Sequence, residues 1–132
     1  MLDNLNEEEI YKELGEEGFT AMVAAFYRRV RTDDLLGPMY PEDDWEGSEE
    51  RLRDFLLFRF GGVPRYIENR GHPRLRRRHF PFTIDSAARD RWVSLMRGAM
   101  DEIDVPDPHY QALLGFFAHV ANFMRNQPED NT

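Results

Sequence analysis

Phe19, Met22, Val23, Phe26, Tyr27 and Val30 fall at i, i+3, i+4, i+7, i+8 and i+11, one continuous apolar stripe along a helix. Arg28, Arg29 and Arg31 take the opposite side. Upstream, Asn6 followed by Glu9 has the form of a capping box and opens a short helix through Leu14. A second strong helix is predicted from about Asp44 to Phe60, with Ser48, Leu52, Phe55, Leu56 and Phe60 turned inward. Gly61-Gly62 and then Pro64 supply its stop chemistry. Asp85 can cap a long helix to about Ile103, striped by Trp92, Leu95, Met96, Ala99 and Ile103. Asp107-Pro108 opens the last one, striped by Tyr110, Leu113, Leu114, Phe117, Ala121 and Met124.

Between these helices, residues 33–46 carry Gly37, Pro38, Pro41 and an acidic run, and read as a turn of helix and a loop. Residues 63–84 hold Pro64, Pro73, Pro81 and Gly71, so short helical turns are the most they fit. No strand-like alternation exceeds a few residues, and there is no internal repeat. The pattern predicts one all-α domain over residues 1–132, with its core at about 11–126 and both ends fraying. A long irregular connection inside a small helical domain is often functional.

Composition narrows the possibilities. Ten Phe, five Tyr and two Trp in 132 residues is a heavy aromatic load, suited to a packed core or to the lining of a cofactor cleft. No apolar run reaches the roughly 18–20 residues that span a bilayer, and no signal peptide precedes Asn6, so a cytoplasmic protein without membrane attachment is expected. The absence of Cys excludes disulfides, thiolate metal ligands and Cys nucleophiles. A net charge of −8 disfavours nucleic acid as a partner, because that binding is largely phosphate neutralisation. The charge is uneven: Glu42 to Glu50 is acidic, Arg65 to Arg78 basic.

The basic stretch runs Gly71-His72-Pro73-Arg74-Leu75-Arg76-Arg77-Arg78-His79-Phe80-Pro81-Phe82. His79 has guanidinium groups on one side and an aromatic-proline-aromatic wall on the other, which suits a buried cofactor with an anionic edge. A basic surface loop fits the same residues. His72 precedes a proline and suits a turn, His109 opens the last helix facing solvent, and His119 falls off that helix's stripe. None of these has the carboxylate spacing of an HExxH or a di-iron site. Tyr27, Tyr40 and Trp92 each put one polar hydrogen on an apolar body, and such groups need partners when buried. Together they would suit a small polar ligand in a largely apolar pocket.

Phe26-Tyr27, Tyr40-Pro41, Glu49-Glu50-Arg51-Leu52-Arg53-Asp54-Phe55-Leu56, Gly61-Gly62 and Gly71-His72-Pro73-Arg74-Leu75-Arg76, in this order, resemble the group II truncated hemoglobins. Arg78-His79, Phe82 and Arg89-Asp90-Arg91-Trp92 continue the likeness, which spans about residues 11–126. The resemblance implies a two-over-two helical sandwich around heme b, with a long irregular proximal loop. By position it implies His79 as the proximal iron ligand, its other ring nitrogen bonded to a backbone carbonyl. It implies Tyr27, Tyr40 and Trp92 as a distal polar trio, and Ser48 and Leu52 as the distal helix positions facing the iron. Arg51 and Arg78 match propionate partners, while Leu75, Phe55, Leu56, Phe82 and Met96 would pack the porphyrin.

The expected ligands are O2, CO, NO or other small molecules, bound reversibly and, for O2, released slowly. A heme redox enzyme acting on NO or peroxide is the second expectation. It would need an external reductase, since no flavin or nicotinamide motif is present. A heme-free helical domain binding an acidic partner through Arg65 to Arg78 is the third. A monomer or a homodimer fits any of these. Three places depart from the family pattern: Gly15-Glu16 stands where paired glycines are usual, Arg59-Phe60 where an aromatic pair is common, and Arg77 where an apolar residue is frequent.

Overall fold

The computed structural model describes residues 7–62 and 85–124. These hold four α-helices, one 3-10 turn and no strand. Helix α1 runs Glu7–Arg31 with a break at Gly15, whose φ of 65° and ψ of −177° lie in a region open essentially to glycine alone. The predicted short helix and the striped helix are therefore two segments of one rod bent at a single residue. All six stripe positions from Phe19 to Val30 are buried.

Asp33 ends the approach to the next turn. Its Oδ2 accepts the Leu35 and Leu36 N–H groups at 3.1 and 2.8 Å, and a 3-10 turn follows at Gly37–Met39. Helix α2 spans Trp45–Gly61 and stops at Gly62, which is left-handed at φ 68° and returns its N–H to Phe58. Helix α3 spans Ser86–Glu102, with the Asp85 carboxylate accepting from Ala88 N at 2.9 Å. Helix α4 spans His109–Met124 and starts one residue later than the Asp107-Pro108 pair suggests, with the Pro108 carbonyl accepting from Ala112 N.

The helices form two pairs, α1 with α2 and α3 with α4, joined where α1 crosses α3. At that crossing a Cβ on Gly98 would lie 2.8 Å from Arg29 Nε, so any larger residue would make the arginine side chain shift. Arg29 reaches past it to Glu102 at 2.7 Å, which Arg28 also pairs with. An aromatic seam ties the pairs: Phe19 stacks on Phe60 at 5.3 Å, and Phe60 meets Phe116 edge-on at 5.0 Å. Arg59, in the position where an aromatic is common, lies over both Phe60 and Phe116 and pairs with Glu7. It does an aromatic residue's covering job with a guanidinium plane.

The core is wider than the stripes foretold, because Leu57, Phe116 and the carboxylate of Asp54 are buried too. Among the described residues, no helix is long and apolar enough to cross a membrane. The irregular connection at 63–84, the Asn6 cap and the fraying end from Gln127 lie outside the described residues.

Candidate functional site

Tyr27 and Tyr40 come together from different parts of the chain. Tyr27 is the i+8 position of the α1 stripe and is buried; Tyr40 leaves the 3-10 turn in an extended conformation. Their rings meet edge to face, with centroids 5.5 Å apart and planes at 88°. Trp92 arrives from α3, packed against Phe26 at 5.1 Å and Phe117 at 5.8 Å. An indole N–H can only donate, and that of Trp92 is placed to donate to the Tyr40 oxygen. The Tyr27 and Tyr40 hydroxyls also interact, which acts to raise the Tyr27 phenol and to lower that of Tyr40.

Burial, and then the neighbouring Tyr40, hold the Tyr27 phenol well above its ordinary value, while Arg51 pulls the other way. Burial also raises the Tyr40 phenol, against the lowering influence of the Tyr27 and Trp92 side chains. Although Tyr40 as a whole is half-buried, its hydroxyl end is the desolvated part. Both groups therefore stay protonated donors through the physiological range.

Helix α2 supplies the adjoining wall. Ser48 is buried, Leu52 and Phe55 are half-buried, and Leu56 is fully buried. Arg51 donates to Asp44 at 3.0 Å and to Ser48 Oγ at 3.3 Å, and its charge reaches Tyr27. Asp44, at the N-cap of α2, makes no side-chain cap bond; its carboxylate lies over Gly47 and is spent on Arg51 instead. Met96 on α3 is fully buried, while Trp92 and Leu95 beside it are only partly covered.

Two residues in this part of the molecule were not singled out by the sequence. Trp45, the first residue of α2, stacks on Tyr40 at 5.5 Å with planes 25° apart and meets Tyr27 edge-on at 6.3 Å. Asp54 is buried in α2 and receives the Arg53 Nε–H at 3.1 Å. The heavy aromatic load was the one signal for Trp45; Asp54, next to an arginine, had none. His79, Arg78, Leu75 and Phe82 lie outside the described residues.

The donor set and the packing fit a flat apolar group with a polar ligand on one side. Helices α2 and α3 both pack on α1 without packing extensively on each other. Leu52 and Phe55 on one, and Trp92 and Leu95 on the other, keep apolar surface that the helices alone leave part-covered. Monomeric proteins seldom leave such surface contiguous without a use.

Residues 9–126 match the family model of the bacterial-like globins. The group 2 truncated hemoglobin YjbI of Bacillus subtilis is 39% identical over 119 residues, which is 90% of this chain and 89% of that protein. The chain is a group II truncated hemoglobin. The crystal structure of a thermostable hemoglobin from Thermobifida fusca superposes with a TM-score of 0.86 at 46% identity, covering 91% of this chain and 98% of that one. That of the truncated oxygen-avid haemoglobin from Bacillus subtilis gives 0.83 at 37%, covering 89% and 98%. The truncated globin's two-over-two architecture follows from these superpositions, and membership brings the globin family's heme-based binding of small ligands. It sets a heme-bearing domain ahead of a heme-free interaction module.

Proposed function

We propose that this truncated hemoglobin binds heme b through His79 and holds O2, with CO and NO as further ligands, under a hydrogen-bond donor presented by Tyr40, so that O2 leaves slowly. Heme, when bound, supplies an iron with one coordination position open to a diatomic ligand. Arg51 and Arg78 would pair its propionates, and Leu52, Phe55, Leu56, Leu75, Phe82 and Met96 would pack its faces. Ser48 keeps the ceiling low in bulk.

The observation that carries the reading is the meeting of the Tyr27 and Tyr40 rings, edge to face at 5.5 Å, with Trp92 packed beside them on Phe26. A phenolic oxygen has two lone pairs and one proton. In this reading the Tyr27 hydroxyl and the Trp92 indole N–H both turn to the Tyr40 oxygen, in keeping with their lowering influence on its phenol, and the Tyr40 proton points into the pocket. Tyr27 and Trp92 then work through Tyr40, polarising its O–H and fixing its direction. The oxygen avidity named for the Bacillus subtilis relative is in keeping with this arrangement.

Stopped-flow O2 dissociation tests it. Tyr40→Phe should raise the rate by roughly tenfold to a hundredfold, since a hydrogen bond to a charged acceptor contributes about 1.5–3 kcal/mol and about 1.4 is tenfold. Tyr27→Phe and Trp92→Phe should each raise it by less. Rates near the parent's in all three variants would end the distal account. His79→Ala should abolish the ordinary heme spectrum after heme-replete expression; an unchanged spectrum would move the iron ligand elsewhere. Turnover of peroxide, or of NO with an added reductase, well above a free-heme control would shift the function to redox catalysis.

A further inference from the structure

The Tyr40 hydroxyl sits at the far end of a ring hung from a loop. The backbone there offers little restraint: Tyr40 N–H reaches Gly37 O at 3.2 Å, and residues 41–44 lead directly into α2. A small swing at its Cβ becomes a large displacement at the hydroxyl, and hydrogen-bond donation weakens steeply with misalignment. Something must hold the ring. Tyr27 touches it only edge-on, and Trp92 only at the oxygen.

The one flat contact on the Tyr40 ring among the described residues is Trp45. It begins α2, so its backbone is helical where that of Tyr40 is not. Its indole also meets Tyr27, which places one rigid plane against both phenols. The guanidinium of Arg31, in the last turn of α1, lies 5.4 Å from the Trp45 ring centre. An aromatic plane in contact with both a cation and a phenol is braced from the end of one helix and the start of another. A branched aliphatic side chain could fill the volume but offers no face to stack on.

We propose that Trp45 is a positioning residue for the distal site, orienting the Tyr40 hydroxyl toward bound ligand and setting the O2 release rate through it. This rests on the reading of Tyr40 as ligand donor. Trp45 touches neither the heme nor the ligand in this role; it acts by restricting where the Tyr40 proton points.

A double-mutant cycle on the heme-loaded protein separates this from general loosening, using Trp45→Leu, Tyr40→Phe and the pair. Trp45→Leu should raise the O2 dissociation rate by about threefold or more and shift the C–O stretching band of the CO adduct toward that of Tyr40→Phe. In the Tyr40→Phe background, Trp45→Leu should change neither. Trp45→Tyr, which keeps a stacking ring, should stay near the parent in both. An equal rise in rate with and without the Tyr40 hydroxyl, or no rise at all, overturns the proposal. A Tyr40→Phe variant with parental release instead sinks the donor reading beneath it, so the two failures are told apart. Should Trp45→Leu not fold, Arg31→Gln at the exposed end of α1 carries the same cycle, with a smaller rise expected only where Tyr40 is intact.

Discussion

Asp33 shows what one short side chain does at the corner between α1 and the 3-10 turn. One carboxylate oxygen takes the Leu35 and Leu36 N–H groups, and the other takes Arg91 from α3 at 2.7 Å. Burial pushes its pKa up, but the Leu36, Arg91 and Leu35 hydrogen bonds outweigh it and hold the carboxyl below its usual range. The folded value is thus lower than the unfolded one. The stabilisation is present above the ordinary carboxylate value of about 4 and is lost as pH falls through the folded value. Asp33→Asn should cost about 1–3 kcal/mol at neutral pH in urea unfolding, and the gap to the parent should narrow as pH falls below the ordinary carboxylate value of about 4. A gap that stays constant with pH would assign the loss to packing instead. The same scale shows what a sequence can disclose. Tyr27 and Tyr40 stood out because a polar tip on an apolar stripe, or beside a loop proline, asks for a partner. Trp45 did not, because an aromatic after an acidic run reads as an exposed helix start, and its stacking depends on a ring five residues back in a loop. Asp54 was hidden among arginines that make any carboxylate look solvated.

At the level of elements, the helix ends were legible where chemistry dictates them. The Asp85 cap and the Gly62 stop are local hydrogen-bond devices, readable without knowing what packs nearby. So was the break before the striped helix, although its glycine is single. Gly15 has a positive φ with an extended ψ, and Gly62 a left-handed one; a Cβ would meet no neighbour at either site. Any cost of Gly→Ala there is therefore backbone strain alone. Gly15→Ala should destabilise by about 1–3 kcal/mol, and Gly62→Ala by about 1–2 kcal/mol, each measured as a shift in urea midpoint at constant m-value. If Gly15→Ala matches the parent, the bend in α1 is not held at that residue. Which helix faces would bury extra residues was not legible. Leu57 and Phe116 lie beside the stripes; Phe116 is covered by its edge-on contact with Phe60, and Leu57 joins the same buried core.

Across the whole molecule, α1 is the hub and α2 and α3 are its separate clients. Residues of α1 contact both, while α2 and α3 keep their facing apolar side chains part-covered. On the proposed reading, a heme between them would add a contact that these two helices do not make extensively with each other. Ligand that binds only the folded state stabilises it by mass action, but here the gain should be uneven. Helix α1 already buries its stripe in full, whereas Leu52 and Phe55 on α2 are only half-buried. Amide exchange should therefore slow more on heme loading in α2 than in α1, about tenfold or more for the α2 amides, in line with sub-global opening of the less-covered element. Thermal unfolding should move upward over the same titration. Equal protection of α1 and α2 would mean that the heme stabilises the fold as one unit, and that α2 is already held by α1 alone.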